Sequence, residues 1–176
     1  QWYSITLSFI GLFDKALSEI KQAQELDPLS LIINTNLGRV LYMMGQYEMA
    51  IEQYKNTIEL DLNFPWAHMF LASVYGVQRR FDEAIVEYEK ARRLAGNNPL
   101  VLTYLGCTYV RSGRNNDGLR VLKDLLLLAQ QGNAVSSHIA FIYYELGEKE
   151  KAVEWFEKAY QDSETDLLFL GTYPLW

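Results

Sequence analysis

The stretch PWAHMFLASVYGVQRRFDEAIVEYEKARRLAGNN, residues 65–98, decides the fold. Apolar residues recur in it at three- and four-residue steps, the period of an α-helix. The pattern breaks at Gln78-Arg79-Arg80 and closes at Gly96, ahead of Asn98-Pro99. This predicts two helices joined by a short turn. Working outward, a shift of 34 residues reproduces the pattern along the chain. Leu37, Leu71, Leu105 and Ile139 fall in register, each followed by a small residue: Gly38, Ala72, Gly106 and Ala140. Leu41, Tyr75, Tyr109 and Tyr143 come next, then Ala50, Ala84, Gly118 and Ala152. Tyr54, Tyr88, Leu122 and Phe156 follow, and Thr57, Ala91, Leu125 and Ala159 close the set. Upstream, Tyr3, Leu7, Ala16, Ile20 and Ala23 continue the register, and no gap is needed anywhere.

A hairpin of this size cannot bury its apolar face alone, whereas stacked neighbours can. The expected units are 31–64, 65–98, 99–132 and 133–166, with a nearly complete unit over 1–30 before them and an apolar cap over 167–176 after them, all in one domain. The small residues let paired helices approach closely. Gly45, Gly113 and Gly147 suit the left-handed stop of a helix. Asn98-Pro99 reads as an N-cap followed by proline in the first turn. Gly118, where the other units carry Ala, costs about 1 kcal/mol in helix propensity. Its helix then carries Leu125-Leu126-Leu127-Leu128, read either as a more buried helix or as a small contact patch on the outer side.

The large–small pair, the aromatic, and the later Ala, aromatic and Ala resemble the tetratricopeptide repeat. Pro28 stands at the family's closing proline, while Leu62, Gly96 and Gln130 replace it later. The tryptophan common early in the first helix is replaced by Asn34, His68, Leu102 and Ser136. The resemblance covers residues 1 to about 165 and implies an all-α fold, a right-handed superhelical solenoid of antiparallel hairpins whose first helices line the concave surface. Counted at i, i+4 and i+7, the inward stripe comprises Thr35, Arg39 and Tyr42; Met69, Ser73 and Gly76; Thr103, Cys107 and Val110; and Ser137, Phe141 and Tyr144. Trp66, Met43, Val77, Arg111 and Glu145 flank it. Trp66 equally suits packing between hairpins.

One branch of the family grips the C-terminal carboxylate of chaperones with lysines, asparagines and an arginine. The corresponding places here hold Thr35, Arg39, Phe70, Leu100 and Tyr104, only Asn36 matches in a neighbouring register, and the lysines are missing. No chaperone-tail clamp is therefore expected. The segments around Leu29–Asn34 and Phe64–His68 are similar in style to bacterial arrays attached to signalling or transcriptional regulators, which implies an effector domain outside this sequence.

Composition narrows the alternatives. Sixteen basic and 22 acidic residues give a net charge of -6, with no general attraction for phosphate backbones or anionic lipid. Neither nucleic acid nor membrane is an expected partner. The two arginine pairs, Arg79-Arg80 and Arg92-Arg93, read as solvated helix faces. Cys107 is the only cysteine, so an internal disulfide is impossible; this fits a reducing, cytoplasmic setting better than an exported one. The opening Gln1-Trp2-Tyr3, without an initiator Met, reads as a cut from a longer protein.

Catalysis and cofactor binding find no motif. His68 and His138 lie in no metal-ligand spacing, the glycines are isolated turn residues, and Glu83, Glu87 and Glu89 read as the solvated face of one helix. The expected role is non-enzymatic: a scaffold holding a protein or peptide in a groove of aromatic, Met, hydroxyl and Arg side chains. The alternative is self-association through the apolar C-terminal end, with Leu167, Phe169 and Trp176 as the contact residues.

Overall fold

The computed structural model describes residues 2–133 and 135–162, and these form ten α-helices and no strand. They run α1 (Trp2–Phe9), α2 (Phe13–Leu26), α3 (Leu31–Met43), α4 (Tyr47–Leu60), α5 (Pro65–Val77), α6 (Phe81–Ala95), α7 (Pro99–Arg111), α8 (Asn115–Gln130), α9 (Ser136–Glu145) and α10 (Lys149–Gln161). Each odd helix packs on the even helix that follows it, and each even helix packs on the next odd one. The odd helices also touch one another in series, α1 to α3 and on to α9. The chain is thus a solenoid with a continuous inner layer of odd helices and an outer layer of even ones.

Local sequence sets where the helices start and stop. Proline opens α5 and α7, where its missing N–H costs nothing. Asn98 caps α7 through its Oδ1, which accepts from the backbone N–H of Leu100 at 3.0 Å and of Val101 at 3.3 Å. The inner helices end in left-handed residues: Gly45 (φ 73°), Gly113 (φ 83°) and Gly147 (φ 80°). Arg79 takes the same place after α5 with φ 60°. A side chain there is strained by roughly 1–2 kcal/mol, yet the turn keeps its bonds, Arg79 N–H to Gly76 O at 3.0 Å and Arg80 N–H to Tyr75 O at 2.9 Å.

The inner layer carries most of the core. Residues Val101 to Tyr109 of α7 are buried without interruption. Full burial of a large apolar side chain such as Leu102 or Leu105 contributes roughly 1.5–3 kcal/mol. Two parallel ring stacks join consecutive hairpins: Tyr54 of α4 on Phe70 of α5, with centroids 6.0 Å apart, and Tyr88 of α6 on Tyr104 of α7, 5.9 Å apart. Both pairs obey the 34-residue spacing, so one packing device is used twice. Small residues of the inner helices make room for the side chains packed on them, a ring in one case and an isoleucine in the other. A Cβ on Gly38 would lie 2.8 Å from Cδ1 and Cζ of Tyr54, and one on Gly106 would lie 2.5 Å from Cδ1 of Ile142.

Several expectations change. The register starts the fourth complete unit at Asn133, but α9 begins at Ser136. Asn133 instead serves the preceding helix: its Nδ2 donates to Leu128 O at 3.0 Å, and Gly132 turns the chain at φ 84°. The leucine run divides. Leu125 is fully buried, Leu126 and Leu128 are half-buried against the core, and Leu127 alone is 45% exposed. The acidic face of α6 is not simply solvated. Glu83 is exposed and pairs with Arg80, but Glu87 is only 13% exposed, and Glu89 accepts from the Tyr109 hydroxyl at 2.7 Å. That bond and, before it, burial push the Tyr109 phenol up to about 12.

Candidate functional site

The inward stripe of the odd helices separates into two depths. Its first row is in the core: Thr35, Met69, Thr103 and Ser137 are all buried. The two threonine hydroxyls turn to backbone, Thr35 Oγ1 donating to Leu31 O at 2.7 Å and Thr103 Oγ1 to Pro99 O at 2.8 Å. In the second row Cys107 and Phe141 are also buried, whereas Arg39 and Ser73 are half-buried. In the third row Tyr42, Gly76 and Val110 are half-buried and Tyr144 is 46% exposed. Six of the twelve residues expected to line a groove therefore form its floor. Each odd helix also contacts the next, and along these helices the early turns are buried while the later turns keep contact with solvent.

Four stripe positions remain open on α3 and α5, and Val110 and Tyr144 on α7 and α9. Arg39 lies with its guanidinium carbon 5.1 Å from the centre of the Phe70 ring. Tyr42 tilts against Tyr47, with centroids 5.7 Å apart. The Ser73 hydroxyl bonds Tyr88 Oη at 2.9 Å and donates to Met69 O at 3.1 Å. Trp66 is half-buried and packs against the core, as its alternative reading had it. At the far end Phe141 meets Phe156 edge-on at 5.1 Å, and Arg111 forms a two-pronged pair with Glu145 of the next hairpin, Nε to Oε2 at 3.0 Å and Nη2 to Oε1. Leu167, Phe169 and Trp176, the residues of the self-association reading, lie outside the described residues.

The buried titratable groups serve packing. Burial pushes the Cys107 thiol far above the usual thiol range, so no nucleophilic thiolate is available there. His68 is held between Glu87 Oε2, 2.6 Å from Nδ1, and Leu62 O, 3.3 Å from Nε2. Burial would raise the Glu87 carboxyl, but hydrogen bonds from His68 and Lys90 outweigh it and hold the group below its usual range. The partners of His68 are thus a carboxylate and a carbonyl, with no hydroxyl or thiol to activate. His138 Nδ1 meets Thr103 Oγ1 at 2.9 Å. Among the described residues no group of three His, Cys, Asp or Glu could hold a metal ion, and no helix is long and apolar enough to cross a membrane.

Sequence reasoning passed over the inter-element clamps at the family's tryptophan place. Asn34 satisfies all its valences: Nδ2 donates to Pro28 O and Ser30 O, while Oδ1 accepts from Gln24 and Gln53. His68 and Glu87 form the same clamp one unit on. The signal was present as a spacing of 19 residues: Asn34 with Gln53 and His68 with Glu87, then the apolar pair Leu102 and Val121. In the first two pairs the side chains meet across a hairpin, polar with polar, and at the next place, Ser136 and Trp155, the match in type ends.

Two repeat families match the chain, TPR repeat over residues 38–78 and tetratricopeptide repeat over residues 105–166, together more than half of its length. A comparison with curated proteins finds no match. Among solved structures, a thermophilic TPR protein of Thermus thermophilus superposes with a TM-score of 0.77 at 20% identity, covering 97% of this chain and 93% of that one. MamA from Desulfovibrio magneticus gives 0.65 at 17% identity, covering 93% of each. Kinesin light chain TPR-like repeats from Podospora anserina give 0.69 at 16%, covering 90% of each. These likenesses show the fold, a right-handed superhelical solenoid. Repeats of this kind mediate protein–protein interaction, and the family is one of non-enzymatic scaffolds. The chain belongs to the tetratricopeptide repeat family.

Proposed function

We propose that this chain is a protein-binding module that holds a peptide segment of its partner on the inner face of α3, α5, α7 and α9, within a longer regulatory or signalling protein. The observation that carries the reading is the opening at Arg39, Tyr42, Ser73 and Gly76. Packing is dense one turn earlier on the same helices, yet these four positions keep contact with solvent. A Cβ on Gly76 would meet nothing within 4 Å, so the space in front of it is open. Aromatic and arginine side chains beside open space on a rigid support are what peptide anchors require.

The test occludes the groove without touching the core. Gly76→Trp fills the open space there, and Val86→Arg alters the exposed outer face of α6 as a control. Both variants and the wild type are immobilised, and a lysate of the source organism is passed over them. A partner retained by the wild type and by Val86→Arg, and lost on Gly76→Trp, is the expected result. Equal retention by a folded Gly76→Trp protein would sink the groove reading.

A further inference from the structure

The α3–α5 part of the groove holds a cation that the fold does not neutralise. Arg39 is half-buried over the ring of Phe70, and its Nη1 donates to Asn36 Oδ1 at 3.3 Å. Among the described residues no carboxylate pairs with it. The contrast is with Arg111, whose fork is engaged by Glu145. A guanidinium has five N–H donors in a planar fork, and Arg39 spends one of them on a neutral amide. Contact with the ring restrains the side chain, which lowers the entropy lost when a planar anion docks.

The side chains around Arg39 are neutral. The Tyr54 and Tyr88 hydroxyls lie nearby, but their rings are buried, and Tyr88 is bonded to Ser73, whose own hydrogen goes to Met69 O. The open space at Gly76 gives access. The guanidinium is therefore the group that meets an anion, and among the described residues no carboxylate paired with it stands in the way of another.

Resting on the groove reading above, we infer that this part of the groove recognises an acidic segment of the partner protein, an Asp or Glu carboxylate docking on the free edge of the Arg39 guanidinium. The geometry of guanidinium and carboxylate is matched for paired hydrogen bonds. The net charge of -6 gives no long-range attraction to an acidic ligand, so recognition is a contact effect that salt weakens only moderately for a half-buried pair.

A random peptide library displayed on phage is panned on the wild-type chain, with Gly76→Trp protein used to discard peptides that bind elsewhere. Enriched peptides are synthesised with amidated C-termini and titrated by fluorescence polarisation, so that a free C-terminal carboxylate cannot supply the charge. Enrichment of Asp or Glu at one position is expected. Arg39→Gln should weaken those peptides about tenfold, the loss of one charged hydrogen-bonding interaction. Changing the peptide acid to its amide should cost about the same on the wild type and almost nothing further on Arg39→Gln, the signature of a coupled pair. Arg39→Lys should recover part of the loss, and circular dichroism should show both variants folded. Groove-dependent peptides without an acidic preference, or an acid whose effect is independent of Arg39, overturn this inference and leave the groove reading standing. A library that yields no peptide sensitive to Gly76→Trp overturns both.

Discussion

Gly38→Ala is the substitution on which helix propensity and packing disagree in sign. Gly38 lies inside α3, where exchange to alanine gains about 1 kcal/mol from backbone propensity. The structure adds an opposing cost. The new Cβ would sit 2.8 Å from Cδ1 and Cζ of Tyr54, and closer still to Cε1, well inside ordinary contact. Tyr54 cannot yield cheaply, because its ring is fully buried and stacked on Phe70. Either α3 and α4 separate or the ring leaves its stack. Overpacking of this kind costs about 1–3 kcal/mol, and disturbing the stack adds roughly 0.5–1.5 kcal/mol. The net expectation is a destabilisation of about 0.5–3.5 kcal/mol once propensity is credited. With a urea m-value of about 2 kcal/mol/M the midpoint falls by roughly 0.3–1.8 M. Urea titration followed by far-UV circular dichroism measures this, with Gly76→Ala as the matched control. Nothing lies within 4 Å of a Cβ on Gly76, so that variant should gain up to about 1 kcal/mol. A Gly38→Ala protein as stable as the wild type, or more so, would refute the packing argument.

Other positions give further tests. Arg79→Gly relieves the left-handed residue after α5 and should raise the urea midpoint by an amount worth about 1 kcal/mol; an unchanged or lower midpoint would mean that Arg79 makes up for its backbone strain elsewhere. Glu87→Gln should cost about 1–3 kcal/mol near neutral pH through the lost charged hydrogen bonds to His68 and Lys90. The folded-state carboxyl of Glu87 is held below its ordinary value of 4.5, so its contribution is complete above that pH and is lost as pH falls from there through the lowered folded value. Unfolding titrations in that range should show the gap between wild type and Glu87→Gln closing with acid, and a constant gap would count against the assignment. Native protein should leave Cys107 unmodified by a thiol-specific chromogenic disulfide at mildly alkaline pH, with full reaction after unfolding; rapid native reaction would show that the inner layer opens.

The 34-residue register determined the hairpins and their stacking, because it records where each helix must be apolar and where it must be small. It also marked the turns, since Gly45, Gly113 and Gly147 announce left-handed backbone, while Arg79 hid the same conformation behind an unsuitable residue type. The stripe of twelve groove candidates came from helical periodicity, which gives the face of a helix and not the depth of a turn along it. Only the packing of one inner helix on the next decided that Thr35, Met69, Thr103, Cys107, Ser137 and Phe141 belong to the floor and that Arg39, Tyr42 and Ser73 stay open. The partners of the buried polar groups were decided in the same way. His68 and Glu87 are on adjacent helices, and a carboxylate read along α6 alone looks like every other acidic residue facing water. Burial and pairing are properties of what packs opposite a side chain, and for Arg39 what lies opposite is the ring of Phe70 and no carboxylate among the described residues.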